Sequence, residues 1–348
     1  MIRIKAAEIT GPRQVTLVED ELAGPGAGEV AIRSLYSGIS HGTEMNVYRG
    51  DAPMWRRKRD PRKKLFVDAE RPEWEYPLRY GYACVGVVTA VGSEVMEIAE
   101  GDVVFCFAPH QSAHVLPVKS VFRLPEGIDP RAGVLIAVLN TTFNGMLDAD
   151  LHLGECVVVF GQGVLGQLTV QWAKLSGASP VIAVDLIEKR REISKRVSGA
   201  DLVFNAGEVG DIAMEVRELT DNRGADVVFE FSASDRALNE AIRTACYNGK
   251  VIVMSWYAGA LANVYLGAEF HHNRVQLISS HIAGISPELS HRWTAARRME
   301  VVLSLMPKLN LDGLITDVID HEDAAAAYEL VDKHTQDILQ VVLDYGED

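Results

Sequence analysis

The stretch Cys156-Val-Val-Val-Phe-Gly-Gln-Gly-Val-Leu-Gly166 reads as a buried strand that turns through glycines into a helix. It holds a complete G-x-G-x-x-G set, Gly161, Gly163 and Gly166, and apolar residues recur at helical spacing over 165–175. In this pattern Gly161 makes the tight turn, Gly163 lets the backbone approach a diphosphate, and Gly166 permits close helix–strand packing. Gln162, Val164 and Leu165 fill the turn between them, at a helix start where free N–H groups favour negative charge. Asp185 ends the next apolar run, 180–184, about twenty residues on, where an acid would bind the ribose. Its carboxylate accepts from a 2′-hydroxyl and repels a 2′-phosphate, so NAD(H) is favoured. Lys189, Arg190 and Arg191 stand close enough to leave NADP(H) open.

Working outward, a polar helix is predicted over 188–197, and further strands at 202–204, 226–231 and 250–254 alternate with helical segments. That alternation predicts an α/β, doubly wound parallel sheet over 151–286. The first 150 residues differ. Alternation at 29–36, a small and β-branched run at 81–91, and an apolar run at 103–107 are punctuated by glycine and proline. They predict a compact, barrel-like β module. After residue 286 a helix is predicted over 293–305.

The length of 348 residues suits about two domains. Apolar residues at 48% and charged residues at 24% mark an ordinary globular chain. A net charge of −14 argues against general nucleic-acid binding, which needs a basic footprint. Cys84, Cys106, Cys156 and Cys246 are scattered with no C-x-x-C pair, poor material for a disulfide framework or a structural zinc lobe. No leader-like segment or apolar run of about 18 residues is present, which points to the cytoplasm and to no membrane partner. One stretch departs from the acidic average: Trp55-Arg-Arg-Lys-Arg-Asp-Pro-Arg-Lys-Lys64 carries seven basic residues in ten. It reads as a solvated surface loop, or as a positive rim for an anionic group on a substrate.

The order of modules resembles the medium-chain dehydrogenase/reductase superfamily over nearly the whole chain. The residues that carry this are Ser37-Gly-Ile-Ser-His-Gly-Thr-Glu44, Gly81-Tyr-Ala-Cys-Val-Gly-Val-Val88, Gly101-Asp-Val-Val104 and the glycine turn. The resemblance implies a GroES-like catalytic domain built from 1–150 and 287–348, with a Rossmann domain over 151–286. It also implies an active site in a cleft, a small-molecule substrate, and a homodimer or homotetramer. Zinc members carry Cys in the first motif, where this chain has Ser40-His41, and Gly-His-Glu in the second, where it has Gly81-Tyr82-Ala83. The third ligand should precede Thr141, yet 130–147 holds no Cys, His, Asp or Glu. No metal is therefore expected. Segments 76–82 and 269–274 look like a zinc-free branch related to bacteriochlorophyllide dehydrogenases.

Without zinc, a side chain must handle the proton of an alcohol/carbonyl reaction. Tyr82 replaces the zinc-binding His, so its phenol is a candidate donor; packing into the vacated pocket is the plainer alternative. His41 is a candidate because an imidazole suits reversible acid–base work, with Thr43 and Glu44 beside it to orient it or relay a proton. His110 falls on a loop that the resemblance places at the substrate pocket. His114, Cys84 and Cys106 read as structural, His271 and His272 as surface residues. Trp256 and Tyr257 cover a ligand or simply pack. The reading is an NAD-dependent, zinc-independent oxidoreductase acting on a polar hydroxylated substrate of sugar, cyclitol or polyol type. An enone or quinone reductase and a non-enzymatic NAD-binding sensor are the rivals.

Overall fold

The structure, a computed structural model, describes residues 1–68 and 70–346. They form two compact units, one of 1–137 with 315–348 and one of 138–314. The fold class expected from the sequence is present, a β-rich GroES-like unit and a Rossmann unit.

The first unit contains a three-stranded antiparallel sheet with Ile2–Gly11 at its centre, between Gln14–Leu22 and Leu78–Arg79. Its larger sheet runs Val121–Arg123, Val103–Cys106, Cys84–Val91, Glu29–Ile39, Gln340–Asp344 and Ile315–Asp320, with Ala113–Pro117 also paired to Glu29–Ile39. The last two strands in that order come from the C-terminal end of the chain. Period-two alternation puts Val30, Ile32, Cys84, Val88, Val104 and Cys106 into one core. Cys84 and Cys106 face each other across neighbouring strands and are fully buried, as a structural reading requires. The basic stretch forms a small antiparallel hairpin, Arg57–Asp60 with Leu65–Asp68, and is not an irregular loop.

The second unit is a six-stranded parallel sheet in the order Leu202–Phe204, Val181–Val184, Val157–Phe160, Ala225–Glu230, Ala245–Val253 and Gln276–Ser279. The inner strands are apolar on both faces because helices cover both. Val157–Phe160 and Val181–Val184 are buried at every position. The helix predicted over 188–197 is a short α-helix, Glu188–Ile193, that passes into a π-helical turn, Ser194–Ser198.

The unit limits differ from the sequence boundaries of 150 and 287, and the reason is packing. Arg298, on the helix Ala295–Leu305, is 3% exposed and donates to Asn140 Oδ1 at 2.9 Å, to Asn144 Oδ1, and to the carbonyl of Ile282. A buried guanidinium needs such acceptors, so this helix and most of Ile136–Ala149 stay with the parallel sheet. Among the described residues no helix is long and apolar enough to cross a membrane.

Candidate active site

In the second unit the strand Val157–Phe160 ends at Gly161, whose φ of +86° belongs to the left-handed region. A Cβ there would meet the backbone of Ser232 at 2.9 Å. Gly163 precedes the helix Val164–Leu175 and has open space where a side chain would stand, so a ligand can approach the helix start. At Gly166 a Cβ would fall 1.9 Å from the carbonyl oxygen of Gly161. Val164 is buried and Leu165 half-buried at the helix start.

The side chain of Gln162 turns inward. It is fully buried, donating to the carbonyl of Val159 at 2.8 Å and accepting from Ser194 Oγ at 2.9 Å. Its backbone N–H donates to Asp185 Oδ2 at 2.6 Å, while Ile187 N–H donates to Oδ1 at 2.8 Å. Asp185 thus clasps the glycine turn as well as presenting a carboxylate. Arg190 lies 3.9 Å from Asp185 Oδ2. A second acid braces the turn. Glu230 is fully buried, its Oε1 accepting from Ser232 N at 2.6 Å and its Oε2 from Tyr257 Oη at 2.6 Å. Burial and the Glu230 charge push the Tyr257 phenol well up, so it stays a donor. The resident coenzyme that such a fold implies fits here: an uncapped helix start for a diphosphate and an acid for a ribose.

In the first unit the site is built from side chains. Glu44, in the helix Thr43–Arg49, is fully buried and collects the hydrogen bonds of its surroundings. Its Oε1 accepts from Ser40 N at 2.9 Å; its Oε2 accepts from Tyr328 Oη at 2.9 Å and from His110 Nε2 at 2.9 Å. The carboxylate holds the proton on Nε2, leaving Nδ1 to accept from Ser37 Oγ at 2.7 Å. Ser37 is in turn 2.9 Å from Tyr345 Oη. Tyr345, Ser37 and His110 therefore form one line of hydrogen bonds that ends on the Glu44 carboxylate, which Tyr328 also reaches. Burial and the Glu44 charge raise the Tyr328 phenol far above its ordinary range. His321 stacks on Tyr345 at 4.3 Å and is 3% exposed. Burial, with His110 nearby, pushes its imidazole down to about 4.

Tyr82 is half-buried beside this line, hydrogen-bonded to the side chains of Ser40 and Thr43. Burial and Glu44 raise its phenol, while the two hydroxyls act the other way. His41 lies half-buried in the turn between Glu29–Ile39 and the helix Thr43–Arg49. His110 sits inside the unit, not at a pocket rim: it is 1% exposed with both ring nitrogens engaged. The structure thus brings Glu44, His110 and, through Ser40 and Thr43, Tyr82 together. Sequence reading missed Ser37, Tyr328, Tyr345 and Glu230. Only Ser37 had a signal, its place in the quoted motif.

In the two motifs that the resemblance sets against zinc-ligand motifs, Ser40 and Tyr82 present hydroxyls bonded to each other, with half-buried His41 next to Ser40. Among the described residues no group of three or more His, Cys, Asp or Glu side chains is spaced to hold a metal ion. Hydroxyl oxygens are poorer zinc donors than the Cys sulfur and His nitrogen of zinc sites.

Comparison with known proteins places the chain. A family model described as zinc-binding dehydrogenase matches residues 164–300, which lie within the second unit and exclude Ser40 and Tyr82. D-guloside 3-dehydrogenase of Escherichia coli K12 is 30% identical over 97% of this chain and 99% of its own length. L-threonine 3-dehydrogenase of Pyrococcus horikoshii is 28% identical over 86% of each. The crystal structure of 2R,3R-butanediol dehydrogenase from Bacillus subtilis shares the fold with a TM-score of 0.80 at 20% identity, covering 99% of this chain and 100% of that one. With both units, the glycine turn and a full-length relative in agreement, the chain belongs to the medium-chain dehydrogenase/reductase superfamily.

Proposed function

We propose that this protein is an NAD(H)-dependent oxidoreductase that interconverts a secondary alcohol and a ketone on a sugar, cyclitol or polyol, without zinc. The observation that carries this reading is Tyr82, a phenol held by Ser40 and Thr43 at the position where zinc relatives have a ligand. A polyhydroxylated substrate is in keeping with the relative that acts as a D-guloside 3-dehydrogenase. The free amides at the start of Val164–Leu175 would hold the coenzyme's diphosphate and Asp185 its ribose hydroxyls. When bound, the nicotinamide accepts or returns the hydride.

The chain's own task is the proton. Tyr82, kept protonated by its raised pKa, donates to the carbonyl oxygen during reduction, and the alcohol proton returns to it during oxidation. The Ser40 and Thr43 hydroxyls relay the phenol's own proton to solvent as it takes up the alcohol proton, and return one from solvent during reduction. Glu44 fixes the backbone of Ser40, and His110, Ser37, Tyr328 and Tyr345 fix Glu44, so these are positioning residues. A homodimer or homotetramer in the cytoplasm completes the reading. The edge strand Gln276–Ser279, with Leu277 37% exposed, offers unpaired backbone for a second copy.

The test is Tyr82→Phe. Polyol oxidation should fall about 10²–10⁴-fold, the usual yield of a positioned acid or base, with NADH affinity unchanged. Full activity in this variant, or a native enzyme whose turnover requires stoichiometric zinc, would overturn the reading. Weaker binding of NADPH than NADH is expected from Asp185.

A further inference from the structure

The rings between residues 55 and 82 form a continuous ladder within the first unit. Tyr82 meets Tyr80 edge-on at 6.3 Å, and Tyr80 meets Trp74 at 5.6 Å. Trp74 meets Trp55 at 5.7 Å, and Trp55 stacks on Tyr76 at 4.0 Å. All five residues are half-buried, and four of them, Trp55, Trp74, Tyr76 and Tyr80, pack against the core of the unit. The ladder ends at the root of the basic hairpin, where Glu73 and Trp74 donate backbone hydrogen bonds to the carbonyl of Met54 at 3.1 and 3.3 Å.

The hairpin's own apolar residues Leu65 and Phe66 are 59% and 40% exposed. Its charge is only partly matched. Of the seven basic residues, only Arg57, with Asp68 at 3.1 Å, and Lys63, with Asp60 at 3.9 Å, have a carboxylate partner among the described residues. Among the described residues Arg56, Lys58, Arg59, Arg62 and Lys64 make no side-chain ion pair, although Glu73 Oε2 accepts from the Arg59 amide at 3.0 Å and Asp60 Oδ1 from the Arg62 amide at 2.9 Å; the whole chain carries a net charge of −14. A cluster of partly matched cations attracts an anion and costs stability when left without one.

We infer that the ladder and the hairpin form an extended substrate subsite, and that the substrate is a glycoside carrying an anionic group beyond the ring being oxidised. The inference rests on the proposed function, which sets one sugar ring at Tyr82. Aromatic faces carry negative charge and sugar C–H bonds present a positive edge, so a second ring lies over Trp74 and Trp55. A carboxylate or phosphate on that ring then faces Arg56 and Arg59.

Initial rates with NAD⁺ test this on the native protein with three probes: a methyl glycoside, the corresponding neutral disaccharide, and the disaccharide with a terminal uronic acid. We expect kcat/KM to rise about tenfold at each step, the second gain vanishing in 0.5 M salt through screening; each tenfold corresponds to about 1.4 kcal/mol. Trp74→Ala should lower kcat/KM for the disaccharide about tenfold more than for the methyl glycoside, with Trp74→Phe restoring most of it. Arg59→Glu should raise KM for the acidic probe alone. Equal kcat/KM for all three probes overturns the subsite and leaves the proposed function standing. NADH formed from none of them overturns both.

Discussion

The two units make their sites from different material. In the second, the backbone does the work: glycines clear the approach, amides face outward at a helix start, and side chains such as Gln162 turn inward to brace the turn. In the first, the site is a chain of side-chain hydrogen bonds converging on one buried carboxylate, Glu44. Backbone sites depend on shape and fail when a Cβ is added. Side-chain sites depend on complete pairing and fail when one partner is lost.

The largest expected effect is on the side-chain site. Glu44→Ala would strand His110, Tyr328 and the amide of Ser40 without their acceptor in a buried place, at a cost of about 3–5 kcal/mol. Urea denaturation measures it, and a loss below about 1 kcal/mol would show that the network is not structural. Next comes Gly166→Ala. A methyl 1.9 Å from the Gly161 carbonyl forces the turn open, and overpacking of this kind costs about 3 kcal/mol. NADH should then bind about 100-fold more weakly by fluorescence titration, while the Glu44 network is untouched. Retained affinity would show that the turn has slack the geometry denies.

The smallest effect separates the units by pH. His321 has a folded pKa of about 4, below the ordinary 6.5, so the unfolded chain takes up the proton first as pH falls. Its stabilising contribution is complete above about pH 6.5 and is lost progressively towards pH 4. The loss at pH 5 is about 2 kcal/mol. Thermal melts of the native protein and His321→Phe across pH 7.5 to 5 should converge as pH falls. Parallel curves would mean that His321 titrates normally.

Much of the second unit was legible because its information is local. The strand, the three glycines and Asp185 fall within thirty residues, and each glycine answers a steric demand that only neighbouring backbone sets. The strand at 202–204 and the helix near 165–175 follow from periodicity in the same way. The break of the helix Glu188–Ile193 into a π turn was not legible. There Gln167 Nε2 donates to the carbonyl of Arg190, and Ser198 Oγ donates to Gln167 Oε1, bonds that join separate helices.

By itself the sequence determined the order of the two modules and the glycine turn between a strand and a helix. Folding decided what His110 is: a residue read as a loop histidine became a buried link between Ser37 and Glu44. It also brought Tyr328 and Tyr345 from the far end of the chain onto that line, by pairing Gln340–Asp344 with Glu29–Ile39. Hydrogen bonds across some three hundred residues leave no spacing to read, because they are fixed by strand register and burial and not by neighbours in the chain.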